Sequence, residues 1–246
     1  MNSYGQTDAG RVRKSNQDSI FLSGMPVGPL SNLFMVADGM GGHRAGDFAS
    51  RFVVDTMVRC LERYKSDCPV TALRKAIEKT NELLFLEAEK DPDREGMGST
   101  LVAATVDQDL MYVANVGDSR LYLFRDGLSQ ITRDHSLVEE MVSLGKMERN
   151  SESYKNQKNI ITRAVGIRPQ VTADFFEVPL KKEDCVLLCS DGLSNMVEET
   201  LIGTILGTPE SLKEKTGRLI RTANENGGKD NIAVILIEPQ ISEVGV

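Results

Sequence analysis

Residues 99–127 read STLVAATVDQDLMYVANVGDSRLYLFRDG. Three apolar runs rich in Val, Leu, Tyr and Phe are separated by short polar breaks, and Asp126-Gly127 is a hairpin-turn pair. β-branched and aromatic residues suit a pleated, half-buried surface, so the stretch reads as a meander of strands. Outward from it, strands recur in blocks. SIFLSG (19–24) and NLFMVA (32–37) precede it across a Gly/Pro-rich turn, strands are expected near 160–165, 173–178 and 185–190, and IAVILI (232–237) is the last. Helices fall between the blocks. From Ala45 to Tyr64 the apolar positions Ala45, Phe48, Ala49, Phe52, Val53, Met57, Cys60, Leu61 and Tyr64 form one stripe at helical spacing. A second stripe, over about 71–90, uses Leu73, Ala76, Ile77, Leu83 and Leu84. Further helices are predicted from Ser136 to Gly145, near 197–206 and near 209–226. One stripe per helix means that each covers one face of a sheet. Strands in blocks, without βαβ alternation, argue for antiparallel sheets covered by helices, an α+β fold.

The polar stretch KMERNSESYKNQKN, 146–159, reads as a loop. Met147 is its only aliphatic residue and Tyr154 its only aromatic one. Such a segment buries too little apolar surface to offset its ordering entropy, so a mobile loop is expected. No repeat or Pro/Ser-rich linker divides the chain, and residues 1–246 read as one domain.

The composition is that of a globular protein, 40% hydrophobic and 26% charged, with a formal net charge of -7. An acidic surface repels nucleic-acid phosphates and anionic lipid heads, which excludes both as general partners. Cys60, Cys68, Cys185 and Cys189 form no CxxC pair, and the chain has two histidines, so a structural zinc site is not expected. In CVLLC the even spacing puts Cys185 and Cys189 on one face of a strand, as small hydrophobes. All four thiols read as reduced, in a cytoplasmic protein. The start, MNSYGQTDAGRVRK, offers no apolar run for a signal peptide, and no run approaches the roughly 20 residues that span a bilayer. A monomer is expected.

The chemistry is announced by aspartates at strand ends. Asp38-Gly39 follows MVA, Asp118 follows NVG, Asp191-Gly192 follows LLCS, and Asp230 precedes the last strand. Converging carboxylates repel one another unless a cation neutralises them. All-oxygen ligands favour the hard cations Mg²⁺ and Mn²⁺. Any one Asp-Gly alone is an ordinary turn dipeptide; four strand-end aspartates together are not. The segment Asp38-Gly-Met-Gly-Gly-His43 lets backbone approach a metal or phosphate closely, and His43 beside a proposed ligand suits a proton donor. Near the start, Arg11, Arg13 and Lys14 precede Asp18, and an arginine fork suits a phosphate dianion.

Together these residues resemble the metal-dependent serine/threonine protein phosphatases, the type 2C or PPM family, closest to its compact bacterial form. The matching stretches run from T7-D-x-G10-x-x-R13-x-x-N16-Q17-D18 through D38-G-M-G-G-H43 with G46-D-F-A-S50, then M97-G-S-T100, V116-G-D-S-R120 and D134-H-S136. They continue with T162-R-A-V-G166, S190-D-G-L193 and D230-N231. They keep the family's order from residue 7 to residue 237. Two departures are Asp47, where the family often has glutamate, and the lack of a histidine in the loop after the 136–145 helix.

The resemblance implies a four-layer α-β-β-α sandwich of two antiparallel sheets flanked by helices, with a metal centre at one end. It implies two Mn²⁺ or Mg²⁺ ions, bridged by Asp38, with the Gly39 carbonyl on one and Asp191 and Asp230 on the other. Asp18 would hold metal waters, and Asp118 would help bind a third, weaker ion. Arg13 would hold the phosphate and His43 would protonate the leaving oxygen. The 146–159 loop would be a flap beside the centre, where Lys146, Arg149, Lys155 and Lys158 would favour acidic substrate flanks. Expected partners are phosphorylated proteins, including a serine/threonine kinase and its substrates. The chain has no P-loop, no G-x-S-x-G elbow and no kinase HRD or DFG. Two alternatives remain open: a catalytically weak relative that binds phosphoproteins as a regulator, and a phosphatase of small esters.

Overall fold

A computed structural model describes residues 1–41, 45–66, 68–149 and 151–241. In chain order the strands are β1 (Asn2–Asp8), β2 (Asp18–Ser23), β3 (Leu33–Met40), β4 (Gly98–Ser99), β5 (Leu101–Asp107), β6 (Leu110–Val116), β7 (Arg120–Phe124), β8 (Leu128–Gln130), β9 (Asp174–Pro179), β10 (Cys185–Cys189) and β11 (Ile232–Glu238). The helices are α1 (Ala45–Arg63), α2 (Pro69–Ala88), α3 (Leu137–Ser143), α4 (Glu152–Gln157), α5 (Asp191–Ser194), α6 (Glu199–Leu206) and α7 (Leu212–Glu225).

The strands form two antiparallel sheets. One runs β1-β11-β10-β7-β8; the other runs β2-β3-β5-β6-β9, with β4 paired to β3. Alternation along the central strands assigns every layer. In β3, Phe34 and Val36 meet Ile235 and Leu188 of the other sheet, while Leu33, Met35 and Ala37 pack with Val53, Met57 and Leu73 of α1 and α2. In β11, Ala233, Ile235 and Ile237 face the sheet that contains β3 and β5, and Ile232, Val234 and Leu236 face α5, α6 and α7. Both faces of the central strands are therefore dry, which is why these strands read as unbroken apolar runs instead of alternating ones. The layers are helix, sheet, sheet, helix, as expected. Cys185 and Cys189 are buried on the helix-facing side, and no disulfide forms among the described cysteines.

The structure corrects three expectations and adds a strand that the sequence analysis did not name. The stretch 99–127 is not one meander: β5 and β6 form a hairpin in one sheet, but β7 joins β10 and β8 in the other. The chain changes sheets across Gly117-Asp118-Ser119, where Gly117 has φ of 108°, a conformation that suits glycine. The polar segment Asn2–Asp8 is a strand because its backbone pairs with β11 along its whole length. Residues 160–165 make only single bridges, Ser136 to Ile161 and Ser99 to Val165. Finally, 146–159 is not wholly irregular. Ser151 caps α4, with its hydroxyl accepting from the Tyr154 amide, and the Tyr154 hydroxyl and Arg149 both donate to Glu139 of α3, at 2.6 and 2.7 Å.

Candidate metal centre

One end of the sandwich gathers the aspartates. Asp18 opens β2 directly opposite Asp38 in β3. Asp118 lies on the crossing between the sheets, Asp191 begins α5 after β10, and Asp230 precedes β11. Asp38, Gly39, Asp118, Asp191, Asp230 and Arg13 line one pocket of about 290 Å³, with Gln17, Met40, Gly41, Thr100, Asn159 and Ile161. Asp18 lies behind it, only 7% exposed. Both sheets contribute, so the pocket exists only in the folded sandwich. His43 lies outside the described residues.

Local structure explains the placements. Thr100 Oγ1 accepts from the Asp38 amide at 2.9 Å and bonds the Ser119 hydroxyl at 2.7 Å, tying β3 to the Asp118 crossing. The Ser190 hydroxyl donates to Asp18 Oδ2 at 2.6 Å and accepts from the Ala233 amide at 2.9 Å. Asn195 donates to Asp191 Oδ2 at 2.9 Å. A Cβ on Gly39 would stand 1.9 Å from the Gly46 carbonyl oxygen, so only glycine lets the start of α1 press against β3 there. The glycine after Asp38 is thus required by backbone packing, a role that sequence spacing alone does not reveal.

The electrostatics are those of an anionic pocket. Asp38 is held well above the usual carboxylate range by burial first, then by Asp18, Asp191, Asp118 and Asp230. Burial, then Asp191 and Asp134, push Asp118 up to about 8. Asp18 rises to about 7 through burial and the charges of Asp191 and Asp230, although the Ser190 hydrogen bond opposes this. Burial and Asp230 lift Asp191 to about 6. Arg13 answers part of the charge, donating to Asp230 Oδ2 at 2.8 Å. That pair is half-exposed, so it is worth little by itself.

The donor set fits a hard divalent cation. Asp18 Oδ1 and Asp191 Oδ1 are buried and accept no hydrogen bond from the described residues, and buried carboxylate oxygens without a donor are costly. The converging ligands are oxygen, as Mg²⁺ and Mn²⁺ prefer. Among the described residues, no three carboxylate, thiol or imidazole side chains stand close enough together to hold a metal ion as they are placed; the aspartates line an open pocket.

Sequence reasoning named the aspartates and Arg13 but missed Ser190, Thr100, Asn195 and Asn231. All but Asn195 lie inside the quoted motifs, yet their partners are far away in the chain and no local spacing points to them.

The Protein phosphatase 2C family model matches residues 7–236. The serine/threonine phosphatase stp of Listeria monocytogenes serovar 1/2a is 41% identical over 255 residues, covering 100% of this chain and 98% of that protein. Among solved structures, the serine/threonine phosphatase Stp1 from Staphylococcus aureus superposes with a TM-score of 0.87 at 33% identity, over 97% of this chain and 94% of that one. The catalytic domain of the serine/threonine protein phosphatase PstP, in complex with two manganese ions, gives 0.83 at 33% identity, over 96% of each. Pocket, fold and sequence agree: the chain belongs to the protein phosphatase 2C family.

Proposed function

We propose that the protein is a metal-dependent phosphatase that hydrolyses phosphoserine and phosphothreonine in other proteins. The observation that carries this is the convergence of four aspartates and Arg13 on one open pocket, with a fifth aspartate, Asp18, behind it. When bound, Mn²⁺ or Mg²⁺ ions offset charge on the phosphoryl oxygens and acidify a water for in-line attack. Asp38 and the Gly39 carbonyl would hold one ion, and Asp38 would also serve a second. Asp191 and Asp230 would hold the second, and Asp118 would contribute to a third, weaker position. Asp18, buried behind Asp38, would orient water through its unpartnered oxygen. Arg13 leaves Asp230 to engage phosphoryl oxygens and offsets the charge that grows on them. His43 gives its proton to the departing serine or threonine oxygen. No side-chain nucleophile is needed, and the buried Cys185 and Cys189 take no part.

A protein substrate is supported by what adjoins the pocket. A groove of about 620 Å³ shares Asp118 and Asp191 with it and continues past Tyr154 and Lys158 to Asn195 and Glu198. A serine/threonine kinase and its targets are the matching partners. No helix among the described residues is long and apolar enough to cross a membrane, and we place the activity in the cytoplasm, on a monomer. Keeping Asp38, Asp191 and Asp230 disfavours a regulator without activity. A kcat/KM comparison of phosphothreonine peptides with nitrophenyl phosphate tests the substrate class. Peptides should be preferred by at least about tenfold, on the order of one or two groove contacts. A preference for the small ester would contradict the proposal.

A further inference from the structure

The two walls of the pocket are joined by one buried side chain outside the ligand set. Asn231, 4% exposed, follows Asp230. Its Nδ2 donates to the carbonyls of Ala9 and Ser15, both at 2.9 Å, and its Oδ1 accepts from the Gln17 amide at 2.8 Å. One side chain thus spends all three of these bonds on the loop between β1 and β2, more than 210 positions away. The loop gains further ties from Arg11 and Val12, whose amides both donate to the Gly228 carbonyl, and from Asp8, which accepts from Asn224. Arg13 stands at the free edge of this tethered loop.

The tie continues across the pocket. The Gln17 carbonyl accepts from the Gly39 amide at 3.0 Å. Asn231 stands just before β11 of one sheet and Gly39 lies in β3 of the other, so the Gln17 peptide unit is a strut between them, with Asp230 beside one end and Asp38 beside the other. Shape alone does not require an asparagine here. A donor for two carbonyls and an acceptor for one amide, in one short rigid side chain, is what the amide group supplies.

We infer that Asn231 is a positioning residue: it clasps the 9–17 loop so that Arg13 meets the phosphoryl group and the Gln17 strut holds the two halves of the pocket in register. This rests on the proposed phosphatase activity. Arg13 is long and half-exposed, so its usefulness depends on where its backbone is anchored. Displacement by about 1 Å is enough to lose most of such a contact.

A double-mutant cycle tests the inference on the full chain with Mn²⁺, reading KM for nitrophenyl phosphate and the competitive inhibition constant of inorganic phosphate. In the wild type, Arg13→Ala should raise both by about tenfold or more. Asn231→Ala should raise both by a similar factor while kcat changes less than about threefold. Arg13→Ala added to Asn231→Ala should then cost less than about twofold, because the arginine is already misplaced. Thermal melting reports whether the variant folds, and Asn231→Ser, which keeps a hydroxyl to share with the loop, carries the same cycle if the alanine variant does not. Equal cost of Arg13→Ala in both backgrounds would overturn the inference, since a purely structural Asn231 would lower stability without touching the arginine. Failure of the underlying function is distinguishable: the wild type itself would then release no phosphate.

Discussion

Asp38 faces Asp18 across β2 and β3 and meets the charges of Asp118, Asp191 and Asp230 across the pocket. Replacing any of Asp38, Asp191 or Asp230 by asparagine removes one charge from a repelling set, so folding is not penalised, yet a cation ligand is lost. Each variant should keep or raise the melting temperature of the metal-free protein and lose at least about 10³-fold in kcat, roughly 4 kcal/mol of transition-state stabilisation. Titration calorimetry with Mn²⁺ checks the cause: undiminished binding in Asp38→Asn would refute its bridging role. His43→Ala should lower kcat on phosphopeptides by about 10²-fold and on nitrophenyl phosphate by much less, because a good leaving group needs little protonation. Equal losses on both would remove the acid role. At this scale the sequence is readable where chemistry forces a residue type, as with an aspartate after an apolar run. Ser190 and Thr100 escape notice because serine and threonine are common everywhere, and only the folded chain brings them to Asp18 and Asp38.

The element least like its sequence is the 146–159 segment. Its polarity speaks for a loop, but the cap at Ser151 and the anchoring of Tyr154 and Arg149 on Glu139 give it a short helix whose Tyr154 faces the groove. The long helices and central strands are legible because periodicity reports burial. β1 is not, since its polar residues are held by backbone pairing with β11, and neither is the move of β7 to the other sheet, which a glycine-turned crossing decides without changing the apolar pattern. Because α4 borders the groove and supplies no aspartate to the pocket, replacing 147–157 with a short Gly/Ser linker should leave nitrophenyl phosphate hydrolysis within about twofold while reordering kcat/KM among phosphopeptides by about fivefold or more. An unchanged ranking would reduce the element to a spacer.

For the whole molecule, the sandwich stores charge repulsion at one end, and this couples stability to pH. Asp18, Asp118 and Asp191 titrate near 4 when unfolded and at about 7, about 8 and about 6 when folded. Between those values the native chain binds more protons than the unfolded one, so stability is greatest below about pH 4 for these groups and falls as pH rises through 6 to 8. The metal-free protein should melt at a lower temperature at pH 8 than at pH 5.5. Mn²⁺, which binds the ionised carboxylates, should remove that slope and bind more tightly as pH rises; calorimetric scans with and without metal measure both. The same stored repulsion is the basis of the catalytic claim, because the pocket calls for cations to work. The most direct test is phosphate release from phosphothreonine, phosphoserine and phosphotyrosine peptides by protein stripped with EDTA and then supplied with Mn²⁺ or Mg²⁺. The account predicts no turnover after stripping, recovery with either ion, and hydrolysis of the first two peptides far ahead of the third. Full activity after exhaustive chelation, or a preference for phosphotyrosine, would contradict it.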